Sequence, residues 1–261
     1  MEKLVRDGVR LAFERIDGDR LPIVLIHGWC CDHTYLAPQA AHFAGRGHAV
    51  LSIDLRGHGA SDAPAGSYAM QVLADDVAAL CRERAIGRAA VIGHSMGGMV
   101  AFDLAVRHPD LVAGLVMIDS AVARPEVSRA KLPAFIARLR GPEGAAALAD
   151  YVGGALFLPT DDQARKAAVI AAMVATPRHV MVAALEGMYA FDPEEAAGKL
   201  LPPALFVATN GPPLCDLTRL AALVPGLMTA QTAGSGHFAP LEVPDQINAM
   251  IARFLAILPS G

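Results

Sequence analysis

The sequence has few of the features that mark nucleic-acid-binding or membrane proteins. Its 22 Lys and Arg are outnumbered by 26 Asp and Glu, and no run of basic residues stands out. A basic surface that would attract nucleic acid or an anionic membrane is therefore not expected. No apolar run is long enough to span a bilayer, because Arg, Asp, Gly or Pro interrupts each one. We expect neither a nucleic-acid nor a membrane partner, and either a monomer or a homodimer.

Cysteine is also scarce, with only Cys30, Cys31, Cys81 and Cys215 in 261 residues. Adjacent cysteines rarely bridge each other, and the spacings match no zinc-ligand pattern. The N-terminal segment alternates charged and apolar residues and lacks the apolar centre of a signal peptide. We therefore expect reduced thiols in a cytoplasmic protein that uses no metal and no cofactor.

What the chain does have is enough apolar material for one large core. It is 54% hydrophobic and 18% charged, which is typical of a globular domain. Short apolar runs, several rich in β-branched residues, alternate with longer stretches whose apolar residues recur at helical spacing. This alternation predicts an α/β fold, with a mostly parallel sheet and helices on both of its faces. The predicted strands cover 9–16, 23–27, 49–54, 89–94, 114–119 and 204–209, and the main helices 68–85, 96–108 and 245–258.

One region departs from this alternation. Between residues 122 and 197 four stretches have helical patterns, often opened by Pro, Ser or Asp, and no strong strand pattern occurs. A single crossover needs only about a dozen residues, so a longer insertion is more than a connection. We predict a core formed by 1–121 and 198–261, with 122–197 as a helical cap, or lid, over the carboxyl edge of the sheet. Ordinary crossover helices are the alternative.

The strongest chemical signal is VIGHSMGG at 91–98. A strand runs into G-x-S-x-G and a helix follows, which is the context of a nucleophile elbow. The two glycines allow a tight turn, and Ser95 is then held above the sheet edge. The backbone N–H of Met96, at the start of the helix, can stabilise negative charge that develops on a substrate oxygen. The pattern predicts Ser95 as a nucleophile.

Three further stretches resemble the α/β-hydrolase superfamily, in that family's order. The first is LIHGWCCDH at 25–33, where the resemblance implies that the N–H of Trp29 is the second oxyanion donor. The second is IDLRGHGASD at 53–62, a turn that Asp54 and Arg56 are expected to hold together, with His58 in no catalytic role. The third is AGSGHFAPLEVPDQI at 233–247, which resembles the catalytic-histidine loop and implies His237 as the general base. The resemblance covers almost the whole chain.

A serine–histidine pair needs a carboxylate to orient the histidine, and this sequence lacks one at the position usual in the family. The strand 204–209 is followed by Asn-Gly-Pro-Pro instead of an acid. Two candidates remain. Asp119 ends the strand next to the nucleophile strand, where some branches of the superfamily carry the acid. Asp216 precedes a helical run and could equally be its N-cap. We favour Asp119 and keep Asp216 as the alternative.

These residues together predict a serine hydrolase that cleaves a small, mainly apolar carboxylic ester, thioester or lactone through an acyl-enzyme on Ser95. The triad would be Ser95, His237 and Asp119, with the N–H groups of Trp29 and Met96 as the oxyanion hole. Several apolar side chains are expected to line an apolar pocket for the substrate: Trp29, Phe135, Phe157, Met188 and Phe238.

Two other functions remain open. Gly-Trp-Cys-Cys-Asp-His at 28–33 resembles a loop of cofactor-free quinolone dioxygenases of the same fold, in which a His–Asp pair deprotonates a 3-hydroxy-4-quinolone before oxygen attacks. Met96 departs from that group, which usually has a polar residue there. The weak acid assignment leaves a second alternative, a non-catalytic protein that binds a small ligand.

Overall fold

The computed structural model describes residues 1–196, 198–199 and 202–259. Within these residues one sheet has eight strands in the order β1-β2-β4-β3-β5-β6-β7-β8. Strands β3 to β8 run parallel, and β1 and β2 are antiparallel to their neighbours. The predicted α/β class is confirmed. The strands are β1 Glu2–Arg6, β2 Val9–Ile16, β3 Arg20–Ile26, β4 His48–Ile53, β5 Ala89–His94, β6 Val112–Ile118, β7 Ala204–Ala208 and β8 Met228–Gln231.

Helices connect the parallel strands and cover the sheet. Short 3-10 turns occur at His33–Leu36, Pro109–Leu111 and Pro193–Ala196. The α-helices are α1 Ala37–Ala44, α2 Met70–Glu83, α3 Met96–Arg107, α4 Glu126–Arg129, α5 Leu132–Arg140, α6 Gly144–Ala155, α7 Gln163–Val174, α8 Arg178–Ala190, α9 Leu217–Leu223, α10 Ala239–Glu242 and α11 Pro244–Leu255.

Two buried apolar layers lie on opposite faces of the sheet. On one face, Val91 belongs to a cluster with α2 and α3. On the other, Ile92 packs in a separate cluster with Phe43 of α1 and Phe254 of α11. Adjacent residues of a strand point to opposite faces, so a strand covered on both sides must be apolar throughout. This explains the continuous apolar runs of β3, β5 and β6.

The helices α4 to α8 all lie between β6 and β7, and they include the four predicted helical stretches. Helix α5 contacts both α6 and α8, and α6 contacts α7, so these helices pack against one another as well as against the core. Residue 197, the predicted end of the cap, lies outside the described residues, as do 260 and 261. The division into a core and a cap with these boundaries stays a prediction.

No single helix among the described residues is long and apolar enough to cross a membrane. Helices α7 and α8 taken together would be long and apolar enough, but the chain bends by 98° between them.

Two strands were not predicted from the sequence. Strand β1 is mostly exposed and only half-buried at two of its positions. It therefore lacks the apolar pattern by which a buried strand is recognised. Strand β8 has four residues, none of them buried. Both are edge strands, where burial does not impose an apolar pattern.

The turn after β4 is held by two buried carboxylates. Asp54 accepts hydrogen bonds from the backbone N–H groups of His33 and Ala60, each at 2.8 Å. Arg56 does not bind Asp54; it donates two hydrogen bonds, of 2.5 and 2.7 Å, to Asp76 on α2. The expectation that Asp54 and Arg56 hold this turn together is thus met through separate partners.

Arg56→Met should destabilise the fold, because Asp76 is fully buried and would lose its bidentate partner. Breaking a buried ion pair costs about 3–5 kcal/mol, and we expect the lower end because Arg6 still contacts Asp76. Urea unfolding measures the change. Arg10→Met is the matched control, since its partner Asp62 is a surface carboxylate, and its midpoint should shift little. Equal shifts for the two variants would contradict the expectation.

Candidate active site

Ser95 occupies the sharp turn between β5 and α3, with φ 56° and ψ −118°. This left-handed backbone is strained for a residue with a Cβ. The turn is also crowded. A Cβ on Gly93 would lie 2.1 Å from the carbonyl oxygen of Gly97, and one on Gly97 would lie 2.2 Å from that of Ile26. The G-x-S-x-G pattern is therefore a steric requirement of this turn.

His237 is joined to Asp119 by a hydrogen bond of 2.7 Å from Nδ1 to Oδ2. Both side chains are buried. Thr209, directly after β7, donates a second hydrogen bond of 3.1 Å to the same carboxylate oxygen. Because Nδ1 carries the proton in this bond, Nε2 of the neutral imidazole is left as an acceptor. The histidine thus has the tautomer needed to accept a proton.

Asp216 has a different role. Its carboxylate accepts from the backbone N–H of Arg219 at 3.0 Å and so caps helix α9. The residue is exposed. Asp216 is therefore a helix N-cap, and of the two candidates Asp119 is the one paired with His237.

Ser95 and His237 line the same pocket. In the part of the chain that the structure describes, the Ser95 hydroxyl makes no hydrogen bond to His237 within 3.5 Å. Such contacts are often long in unliganded sites and shorten when substrate binds. The pocket therefore brings the predicted nucleophile and base together without a formed bond between them.

One predicted oxyanion donor, Met96, directly follows Ser95, and the other, Trp29, belongs to the loop after β3. Met96 is the first residue of α3, whose leading N–H groups have no intrahelical partner. Trp29 follows β3 and is 6% exposed. Within the described residues neither backbone N–H is donated to another group. Gly28 lets this loop approach the elbow, since a Cβ there would be 3.2 Å from the Cβ of Ser95.

The helical insertion is bonded directly to the site. The backbone N–H of His237 donates to the carbonyl of Leu156 at 2.9 Å. The N–H of Gly236 donates to Asp161 at 3.3 Å. On the other side, Nε1 of Trp29 donates to the carbonyl of Met181 on α8 at 2.9 Å. The position of the histidine loop therefore depends on the insertion.

The pocket is mainly apolar and narrow. Its cavity volume is about 30 Å³. Phe157 does not line it, contrary to expectation; its ring stacks on that of Phe238 with centroids 4.9 Å apart. The other four expected side chains do line it, together with residues that include Leu132, Tyr151, Leu156, Leu185 and Leu214.

Three buried histidines near the site have structural contacts. Nε2 of His94 donates to the backbone carbonyl of His237 at 2.8 Å, and its Nδ1 is buried without a partner. Nδ1 of His27 donates to the carbonyl of Gly28, and its Nε2 accepts from the N–H of Leu55. His58 bonds the carbonyl of Arg56 and does not line the pocket.

Sequence reasoning missed three residues that shape the site: Thr209, Asp161 and Arg124. Thr209 lies at the strand end where the family usually places its acid, so a polar side chain at that point was the available signal. Arg124 lines the pocket and was recognisable only as an isolated charge five residues after Asp119. Asp161 bonds the histidine loop across 75 residues of sequence, and no local pattern predicts that contact.

The buried histidines predict a loss of stability in acid. Burial lowers the pKa of His58 and of His94 to about 3, whereas an unfolded histidine titrates near 6.5. As pH falls from about 6.5 towards 3, the unfolded chain takes up protons that the folded chain does not, so stability decreases.

Each such histidine should contribute about 1.4 kcal/mol per pH unit within this window. His58→Asn keeps a donor for the carbonyl of Arg56 and removes one titrating group. Urea unfolding at pH 7, 6, 5 and 4.5 should then give a slope smaller by about that amount than in the wild type. An unchanged slope would show that His58 does not titrate in this way.

Comparison with known proteins bears on the family and the fold of the chain. A family described as alpha/beta hydrolase fold matches residues 22–244. The chain is 28% identical to 2-(acetamidomethylene)succinate hydrolase of Mesorhizobium japonicum, over 90% of this chain and 88% of that protein. The match to AB hydrolase superfamily protein YisY of Bacillus subtilis is local: 33% identity over 49% of this chain and 44% of that protein.

Solved structures resemble the chain over its whole length. An enol-lactonase from Burkholderia xenovorans has a TM-score of 0.87 and 27% identity, with 98% of this chain and 100% of that chain covered. A malate-bound thermophilic esterase from Thermogutta terrifontis has a TM-score of 0.86 and 25% identity, with 98% of each chain covered. With the family match spanning most of its length, the chain belongs to the alpha/beta hydrolase fold family.

Proposed function

We propose that the protein is a serine hydrolase that cleaves a small, mainly apolar ester, thioester or lactone. The observation that carries the proposal is the buried hydrogen bond from His237 to Asp119, at 2.7 Å, in the pocket that Ser95 also lines. A correctly oriented imidazole beside a serine on a strained turn is the arrangement that acyl transfer requires. The full-length relatives, a succinate-derivative hydrolase, an enol-lactonase and an esterase, support hydrolysis.

In the proposed reaction, Ser95 Oγ attacks the carbonyl carbon while Nε2 of His237 takes the hydroxyl proton. Asp119 stabilises the resulting imidazolium, and the N–H groups of Trp29 and Met96 stabilise the tetrahedral oxyanion. The bond to the leaving group breaks as His237 returns the proton to it. Water, deprotonated by His237, then attacks the acyl-enzyme. As the bond to Oγ breaks and the acid leaves, His237 returns the proton to Ser95.

The nucleophile argues against two other chemistries of this fold. Haloalkane dehalogenases and epoxide hydrolases need an alkyl–enzyme ester on a carboxylate, and position 95 is serine. An acyl carbon is therefore the proposed target.

The pocket supports a small substrate. Its lining is mainly aromatic and aliphatic, with few polar groups, which is typical of sites that bury an organic ligand. Two relatives are associated with small carboxylic acids. One is a hydrolase of a succinate derivative, and the structure of the other has malate bound. We propose that helices α4 to α8 act as a lid, because they supply Phe135, Leu185 and Met188 to the pocket wall.

The loop that resembles quinolone dioxygenases gives little support to that chemistry here. Asp32 caps the following 3-10 turn by accepting from the N–H of Thr34. His33 bonds the buried Asp54 at 2.8 Å. Both residues are thus engaged in local structure. Oxygen uptake or carbon monoxide release with a 3-hydroxy-4-quinolone would nevertheless favour the dioxygenase over the hydrolase.

A fluorophosphonate probe should label the wild-type protein on Ser95, and a short-chain p-nitrophenyl ester should give a burst of p-nitrophenol as the acyl-enzyme forms. Ser95→Ala should abolish both, while circular dichroism stays unchanged. Peptide mass spectrometry identifies the labelled residue. Absence of labelling and of ester turnover in the wild type would reject the hydrolase and favour a binding protein.

Asp119→Asn should lower kcat by roughly 10⁴, because the histidine loses the carboxylate that fixes its tautomer. Asp216→Asn is the matched control and should retain activity, since Asp216 caps α9 away from the pocket. Steady-state kinetics on the best p-nitrophenyl ester measures both. Full activity in Asp119→Asn would remove this residue from the proposed triad.

A further inference from the structure

The pocket contains a charged side chain that the proposed chemistry does not use. Arg124, five residues beyond Asp119, lines the site pocket together with Ser95 and His237. It also lines a second cavity, the outer pocket, which neither Ser95 nor His237 touches. The outer pocket has a cavity volume of about 470 Å³. Arg124 therefore lies at the boundary between the reacting centre and a roomier cavity.

The guanidinium has no carboxylate to neutralise it. Nε of Arg124 is buried and has no hydrogen-bond partner. Across the described parts of the chain, no Asp or Glu forms an ion pair with it. Its neighbour Tyr151 is neutral, since burial raises the pKa of the phenol. Burial also lowers the pKa of Arg124, which reflects the cost of holding a charge away from water. A lone cation in such surroundings is unfavourable by itself.

Two other partly buried arginines are paired with carboxylates. Arg56 binds Asp76 with two hydrogen bonds, and Arg107 binds both Asp103 and Asp75. A paired arginine contributes to the fold, whereas Arg124 has no such contact. Four apolar side chains also line both pockets with it: Leu132, Phe135, Leu156 and Leu214. The unmatched charge is thus placed where a ligand can reach it.

The charges around the outer pocket are mostly positive. Lys131 and Arg138 line it with Arg124, against one carboxylate, Asp150, which lies 3.9 Å from Arg138. The protein as a whole has a net charge of −4, so a local excess of positive charge departs from its average. Such a region favours the approach of an anion.

We propose that Arg124 binds a free carboxylate of the substrate and so determines specificity for acidic esters or lactones, such as a half-ester of a short dicarboxylic acid. This inference rests on the proposed hydrolase function and names the substrate class. The carboxylate supplies the missing countercharge through charge-assisted hydrogen bonds, the apolar wall holds the connecting carbons, and the carbonyl lies at Ser95. Arginine suits this task because its planar donors match a carboxylate.

The test compares two esters of nearly equal shape. One is mono-p-nitrophenyl glutarate, and the other is p-nitrophenyl 5-methylhexanoate, in which an isopropyl group replaces the carboxylate. We expect wild-type kcat/KM to be at least tenfold higher for the glutarate. Arg124→Met should reduce the ratio of the two kcat/KM values by roughly 10- to 100-fold, the range for a hydrogen bond to a charged group. Most of the change should lie in KM for the glutarate.

Two further variants serve as comparisons. Arg124→Lys keeps the charge without the planar donors and should retain part of the preference. Arg178→Met removes an exposed cation from the first position of α8 and should leave the ratio unchanged. Arg124→Met should also unfold at the same or a higher urea concentration than the wild type, since it removes an unpaired charge. A loss of stability together with an unchanged ratio would make Arg124 a structural residue and overturn the proposal.

Failure of this inference and failure of the hydrolase proposal give different results. Turnover of the neutral ester with no preference for the glutarate rejects the carboxylate site and leaves the hydrolase intact. If neither ester is cleaved, the binding of glutarate tests the carboxylate site directly. Calorimetry should detect the binding of glutarate to Ser95→Ala. The double variant, Ser95→Ala with Arg124→Met, should bind glutarate at least tenfold more weakly. Equal affinity in the two proteins would reject the site without reference to catalysis.

Discussion

The hydrogen bond between Asp119 and His237 is the interaction around which the site is arranged. It joins residues 118 positions apart, and each end is fixed by its own strand or loop. Asp119 is held by a backbone bond to Val207 of β7 and by the hydroxyl of Thr209. His237 is held by the insertion at Leu156. Three separate parts of the chain must therefore be in place before the imidazole has its orientation.

Much of the fold and part of the site follow from the sequence, for identifiable reasons. Strands covered on both faces must be apolar, so β3, β5 and β6 are recognisable as short runs. The elbow is recognisable because Gly93 and Gly97 leave no room for a Cβ. Edge strands β1 and β8 are not recognisable in the sequence because little of their surface is buried. Asp119 could be preferred to Asp216 but not established, because its contact with the histidine exists only in the folded chain.

The contacts of the insertion could not be read from the sequence at all. The stacking of Phe157 on Phe238, the bond from the histidine loop to Asp161 and the unpaired Nε of Arg124 each depend on which helix faces which loop. A local sequence pattern predicts where the helices lie along the chain, but it does not predict which face of each helix packs against which loop. The insertion lines the pocket, and its segment between α6 and α7 also bonds the histidine loop through Leu156 and Asp161.

The loop that follows β7 has a consequence for redesign. Asn210, which follows Thr209, accepts a hydrogen bond from the N–H of Gly234 and donates one to the carbonyl of Ser235, and so supports the histidine loop. Residues 211–214 carry no triad acid, yet Leu214 contributes to the pocket wall. In the proposed triad the acid is Asp119, directly after β6, and not a residue of this loop. We therefore expect side-chain changes at 212–214 to alter the substrate range while the hydrogen bond between His237 and Asp119 is kept.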